Sequence, residues 1–446
     1  MSLTAFDSQV LGPLFTDPDT AALFTDEAMI KAMVDVEGAL AAAEGACGVI
    51  PQASAAMIEK TCARARIAAH RLSEGTLSDG VPVPALVKEL RSQMDADHAR
   101  FLHWGATSQD ISDTGLILRL KSALDLHEAR LRQLADTLAG LAAAHRDTPV
   151  AARTRTQQAT PTSFGLKCAV WLSAVLRHIE RLPGLRARLL LLSFGGAAGN
   201  LAALGDKAME VEAALAARLG LGLAPAPWHT MRDGLDEYAG WLSLVTGTLG
   251  KMAQDVMLMA QNEVAELRPG SGGGSSTMPN KVNPVGAEVI VALARQNAGL
   301  LATMHQAALH EHERSGSNWS IEWLTLPQMV IATGAALAAA TRMASELVVR
   351  GDVMRANIEA SNGLMLAEAA MFALADHMPR PEAQELVKSA CKAVNETGTH
   401  LFDVLAQRCD LPVDWEALKD PARHMGASGP MIDRVLESHQ ALGAKS

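Results

Sequence analysis

The stretch from Gly270 to Pro284 reads GSGGGSSTMPNKVNP and gathers reactive and charge-holding groups into fifteen residues. Ser275 and Ser276 carry hydroxyls that can give or take a proton. Lys281 supplies a cation, and Asn280 and Asn283 supply amides, between Pro279 and Pro284. Such a set suits holding negative charge while a proton moves. A phosphate loop is excluded because no Gly-Lys-Ser/Thr follows the glycines. A plain linker would have no use for a lysine and two asparagines set between prolines.

Two further stretches carry related chemistry. HWGATSQDISDT, His103 to Thr114, places His103, Thr107, Ser108 and Gln109 ahead of a helix start, with Ser108 or Asp110 as the N-cap. Donors at a helix N-terminus also make a carboxylate site. ARTRTQQATPTSFG, Ala152 to Gly165, alternates Arg153 and Arg155 with threonines ahead of Gln157 and Gln158, and Pro161 is expected to open a helix. Guanidinium groups bind planar carboxylates through paired hydrogen bonds. A helix cap explains much of the first stretch and a solvated loop much of the second. PWHTMRD (227–233) and HEHER (310–314) carry less weight, because a lone histidine is usually structural.

The elements that must position these groups are long helices. Alanine and leucine abound while the chain holds one tyrosine, which favours helix over sheet. Prolines punctuate the chain at long intervals, with none between Pro84 and Pro149 or between Pro227 and Pro269. Within such spans Leu242, Val245, Leu249, Met252, Val256 and Met259 follow steps of three and four, as do Leu131, Leu134, Leu138 and Leu141. These are core positions. No strand-rich stretch and no repeat is evident. The expected fold is all-α, in three helical domains: residues 1–111, a long central bundle over 112–350, and 351–446. Several spans are apolar on more than one face, which implies cover by other subunits.

Bulk properties narrow the function. The 446 residues carry a formal charge of −10, which argues against nucleic acid as partner. The first thirty residues hold acids and no Lys or Arg, the reverse of a signal peptide. The uncharged spans Leu189–Gly205 and Trp323–Thr341 are interrupted by polar residues and read as buried segments, so no membrane is expected. Five widely spaced cysteines without a CxxC fit a reduced cytoplasmic compartment and offer no metal cage.

Together the three stretches resemble the fumarase/aspartase superfamily. Gly274 to Pro284 matches that family's Gly-Ser-Ser-x-Met-Pro-x-Lys-x-Asn-Pro loop at every fixed position, and the likeness runs over essentially the whole chain. HWGATSQDISDT, PWHTMRD, TLGKMAQDV and HEHER…EWLTLP look most like the 3-carboxy-cis,cis-muconate cycloisomerase branch, with adenylosuccinate lyases the nearest competitor. The resemblance implies a homotetramer with a twenty-helix core, whose active sites are each shared between three subunits, and no metal or organic cofactor. It makes Ser275 the general acid/base and gives Lys281 and Asn283 the charge of an aci-carboxylate. It assigns a small polycarboxylate substrate to His103, Thr107, Ser108, Arg155, Gln158, Ser276 and Arg314, with Glu288 in support.

The chain departs from the family at two places. Arg155 stands where fumarases and adenylosuccinate lyases have a histidine acid, and Gln158 where cycloisomerases have one; KVNP in the loop is the fumarase form. A departing amine needs a proton, whereas a carboxylate leaves without one because its pKa lies far below neutrality. The missing histidine is therefore tolerable in lactone formation and costly in amine elimination. The expected activity is cycloisomerisation, with a fumarate-releasing lyase or a catalytically silent relative as alternatives.

Overall fold

The computed structural model describes residues 4–270, 273–274, 278 and 281–443. The fold is all-α, with nineteen α-helices among the described residues and only three two-stranded ladders. Seven helices carry or brace the candidate groups: α1 (Asp26–Ala46), α2 (Val83–Arg91), α3 (Ser108–Ala144), α4 (Phe164–Leu189), α5 (Asp233–Met259), α6 (Val285–Ala307) and α7 (Ser317–Ser345). All six apolar residues of the expected α5 stripe, Leu242 to Met259, are buried. Leu131, Leu134 and Leu138 of α3 are fully buried as well. Burying such a side chain contributes roughly 1.5–3 kcal/mol, which outweighs the weak intrinsic propensities.

Prolines prove poorer punctuation than expected. Pro183 lies inside α4 and Pro327 inside α7. A proline inside a helix costs about 3 kcal/mol through a lost backbone bond and a ring clash. Fully buried Leu326, Met329 and Val330 flank Pro327, and the helix holds through their packing.

The chain divides into two compact units. One comprises Met1–Arg130, His178–Gly247 and Ala292–Ala338, and the other Leu131–Arg177, Thr248–Val291 and Ala339–Ser446. In the first, α1 packs against the helices Gln52–Arg64 and Ala208–Leu219. Thr25 caps α1, its hydroxyl accepting from the amide of Ala28. In the second, strands β1 (Pro149–Thr154) and β2 (Gln157–Ser163) form an antiparallel hairpin, against which the helix Gly351–Glu359 packs. A second core gathers Leu374, Ala383, Val387, Ala390, Leu401, Phe402 and Leu405 near the C-terminus.

The hairpin corrects the expectation of a helix from Pro161. Pro161 sits within β2 opposite Ala151, and the helix begins only at Phe164. A proline needs no ladder partner on the open side of a two-stranded sheet. The Ser163 hydroxyl then accepts from the Leu166 amide, as a helix-start residue should.

Among the described residues two helices, α6 and α7, are long and apolar enough to cross a membrane by length and composition alone. The most apolar window of α7 is 67% buried inside the chain, that of α6 only 28%. Val170 of α4, Leu244 and Leu258 of α5 and Leu324 of α7 are also exposed.

The seat of α4 is tight enough to test. A Cβ added at Gly165 would lie 2.6 Å from the Ala142 carbonyl oxygen and 2.7 Å from that of His145. Both obstacles are backbone, so Gly165→Ala is expected to destabilise by about 1–3 kcal/mol. Gly140, within α3, has nothing near its missing Cβ. Gly140→Ala should therefore stabilise by about 0.5–1 kcal/mol through helix propensity. Thermal unfolding of the two variants should move in opposite directions.

Candidate active site

Within the first unit, α3 begins at Ser108, and Thr107 precedes it. Ser108 is thus the first helical residue, not the cap. Asp110 caps in reverse: its Oδ2 accepts from the Thr107 amide at 2.9 Å, the carboxylate half of a capping box. The same carboxylate accepts from the amides of Gly195 (2.8 Å) and Gly196 (2.9 Å) and faces His229 Nε2 at 2.8 Å. One turn on, Asp113 takes the Arg232 guanidinium (2.6 Å) and Trp319 Nε1 (2.9 Å). Arg232 also forks onto Glu322 at 2.8 and 2.5 Å, and all three side chains are buried. Burial works against the Arg232 cation, but the two carboxylates outweigh it and raise its pKa. His310 Nε2 lies 3.3 Å from Glu322.

Gln109 ties this network to Arg314. Its side-chain oxygen accepts from Arg314 Nε at 3.1 Å, and its amide nitrogen donates to the His229 carbonyl at 2.8 Å and to Asp113 at 3.2 Å. Arg314 Nη2 also donates to the Gly196 carbonyl at 3.2 Å. PWHTMRD and HEHER, discounted singly, therefore supply the braces of the first stretch. The overlooked signal was the pair Asp110 and Asp113, two acids spaced to sit on one face of a helix start.

His103 is held apart from that network, in a left-handed backbone conformation (φ 62°). Its Nδ1 lies 2.7 Å from Oε1 of Glu37, a fully buried residue of α1. Burial alone would lower the imidazole pKa, yet the Glu37 charge and hydrogen bond raise it overall, with Asp110 adding and Arg91 opposing. Further along α1, burial and the Glu37 charge push Glu44 up to about 9, so it carries its proton at neutral pH. His103 and Ser108 line a cavity of ≈ 360 Å³ with Pro84, Val87, Lys88 and Arg91.

The second unit holds the other described candidates. Arg155 and Thr156 form the two-residue turn between β1 and β2, both at positive φ (50° and 68°). Primed turns of this kind match strand twist but favour Asn-Gly, so nothing in Arg-Thr announced a hairpin. Arg155 and Gln158 are exposed, and no ion pair joins Arg155 to Glu288 among the described residues. Arg153 is engaged elsewhere, forked onto buried Glu266 at 2.8 Å through both nitrogens. Asn357 braces Glu266 at 3.1 Å.

In the glycine-rich loop, Gly273 and Gly274 pair with Asn283 and Val282, directly before α6 and its first-turn Glu288. A Cβ at Gly270 would lie 2.5 Å from the Glu346 carbonyl, and one at Gly273 would lie 2.7 Å from Val285 Cγ2. Two of the loop's glycines thus permit close approach. Lys281 is exposed, and its amide donates to the Met278 carbonyl at 3.0 Å. Ser275 and Ser276 lie outside the described residues. Among the described residues, no three His, Cys, Asp or Glu side chains could hold a metal ion.

A family model described as Lyase matches residues 15–299, and one described as adenylosuccinate lyase C-terminus matches residues 363–435. A 3-carboxy-cis,cis-muconate cycloisomerase of Pseudomonas aeruginosa is 42% identical over 98% of this chain and 97% of its own. The chain belongs to the fumarase/aspartase superfamily. Among solved superfamily structures, a 3-carboxy-cis,cis-muconate lactonizing enzyme from Pseudomonas putida superposes with a TM-score of 0.92. It is 41% identical, over 97% of this chain and 99% of its own. A fumarate lyase from Mesorhizobium superposes with a TM-score of 0.89 at 38% identity, over 95% and 98%.

Two substitutions test how this superfamily chain braces its first signature stretch. Asp110→Asn turns amide hydrogens toward backbone donors and removes a buried charge. It should cost about 3–5 kcal/mol, read as a lowered unfolding midpoint. Glu37→Gln should lower the pKa of the His103 ring, followed by NMR titration of the imidazole protons. Because folding raises this pKa, its contribution to stability is complete below the ordinary value of 6.5 and is lost as pH rises through the raised one. The stability gap between wild type and Glu37→Gln should accordingly be widest in mild acid and narrow toward alkaline pH.

Proposed function

We propose that the chain catalyses the cycloisomerisation of 3-carboxy-cis,cis-muconate to a carboxymuconolactone. The reading is carried by 42% identity to a cycloisomerase over nearly the whole of both chains. Local chemistry is compatible with it: Arg155 stands where superfamily lyases place a histidine acid, and although Gln158 replaces the histidine of cycloisomerases, a departing carboxylate needs no proton. An oxygen of one substrate carboxylate attacks the conjugated double bond and forms the ring C–O bond. The displaced π electrons move onto the neighbouring carbon and its carboxylate as an aci-carboxylate. Lys281, Asn283 and loop amides hold that charge, and the Ser275 hydroxyl gives the carbon its proton. His103, Thr107, Ser108, Gln158, Ser276 and Arg314 hold the ground-state polycarboxylate. Arg155 takes the third carboxylate, and Glu288 supports the loop side. The reaction needs no cofactor and no metal.

The working assembly in this reading is a homotetramer of three-domain chains, soluble and cytoplasmic, with each site drawn from three copies. Support comes from the exposed apolar faces of α4, α5, α6 and α7, which need cover in water. The likeness to the Mesorhizobium fumarate lyase favours a second reading, elimination with release of fumarate.

The assay that separates them follows the diene absorbance of 3-carboxy-cis,cis-muconate. Purified protein should bleach it and should be slower on adenylosuccinate by on the order of a hundredfold or more. Arg155→His should not speed ring closure, because no departing nitrogen awaits a proton. Fumarate release from adenylosuccinate without any change in muconate absorbance would leave only the superfamily assignment.

A further inference from the structure

We propose that the cavity between α2 and the segment leading into α3 is a carboxylate subsite, in which Lys88 and Arg91 hold one carboxylate of the polyanionic substrate beside His103 and Ser108. This deepens the reading above and rests on it. Lys88 and Arg91 sit three residues apart on α2 and so share a face. Both line the ≈ 360 Å³ cavity with His103 and Ser108, and its remaining walls are Pro84 and Val87. Three cationic or protonatable groups and one hydroxyl thus converge on a volume suited to a carboxylate and its waters.

Cations in the last turn of a helix are commonly no more than a complement to its dipole. Three observations exceed that explanation. The chain is strongly acidic, yet among the described residues neither Lys88 nor Arg91 has a carboxylate within ion-pair distance. Glu89, the acid between them in sequence, faces Arg71 instead, at 3.4 Å. Arg91 Nη2 also donates to the Leu102 carbonyl at 3.0 Å, which fixes the guanidinium beside the backbone that presents His103. His103 itself is turned by its left-handed backbone and anchored through Nδ1 to buried Glu37, which leaves Nε2 as its remaining donor. The groups facing the imidazole are Glu37 from α1, Asp110 from α3 and Arg91 from α2. The Asp110 carboxylate is already occupied by backbone donors, so Lys88 and Arg91 are the charged donors of the cavity that remain open to a ligand.

Calorimetric titration with propane-1,2,3-tricarboxylate tests the subsite without requiring turnover. Lys88→Met and Arg91→Met should each raise the Kd by about fivefold, and the double variant by more than about tenfold, the modest worth of exposed charge-assisted bonds. Lys88→Arg should stay within about twofold of the wild type. Lys60→Met, which removes an equal charge from the helix Gln52–Arg64, should leave the Kd unchanged. Raising the salt concentration should weaken binding to the wild type more than to the double variant. On carboxymuconate, Lys88→Met should raise KM more than it lowers kcat. A double variant that binds within twofold of the wild type overturns the subsite, as does a wild type with no measurable binding. Turnover of carboxymuconate with an unchanged KM in the double variant would remove the subsite and leave the proposed reaction standing. Lys88-dependent tricarboxylate binding in a protein that does not cyclise carboxymuconate would do the reverse.

Discussion

Two carboxylates on the first turns of α3 organise everything around the first signature stretch. Asp110 gathers the amides of Thr107, Gly195 and Gly196 and the ring of His229; Asp113 gathers Arg232, Trp319 and Gln109. These partners come from four separate segments of the chain. Buried carboxylates are expensive unless their lone pairs are filled, so each of those segments is committed to one position once the helix forms. Arg232, itself buried, extends the commitment to Glu322 of α7. Positioning of the loop before α3 therefore rests on charge and hydrogen bonding as well as on buried Leu102.

That arrangement reconciles an acidic chain with an anionic substrate. The acids near the candidate site are spent on internal donors: Asp110 on backbone amides, Asp113 and Glu322 on Arg232, Glu37 on His103, and Glu266 on Arg153. Lys88 and Arg91, which line the cavity beside His103, have no acid within ion-pair distance among the described residues, although the overall charge is −10. Net charge constrains bulk association; the sign inside a cavity depends on which charges are already paired.

The glycine-rich loop and the β1–β2 turn use backbone geometry differently. Gly270 and Gly273 are small because Glu346 and Val285 stand where side chains would go. Arg155 and Thr156 are not glycines, yet both occupy the left-handed region. Conformations of that kind cost energy in non-glycine residues and persist where surrounding structure imposes them. Here the imposing element is the hairpin, whose strands pair on both sides of the turn and whose Arg153 is locked onto Glu266.

Sequence alone determined the helical class, the α5 stripe and the three stretches with usable chemistry, because period, composition and motif spacing are local properties. It also determined the superfamily, since the Gly274–Pro284 loop is a fixed pattern of residue types. Only the tertiary structure decided which charges are free. Arg153 and Arg155 are two residues apart and look alike in sequence, but Arg153 meets a buried glutamate and Arg155 sits exposed at a turn. Glu37 and His103 are 66 residues apart, as Asp113 and Arg232 are 119, and no local pattern records such pairs. Pro183 and Pro327 likewise lie inside helices, where buried neighbours override a local penalty. The physical reason is the same throughout: propensity acts over a few residues, whereas desolvation and charge pairing depend on what the folded chain brings alongside.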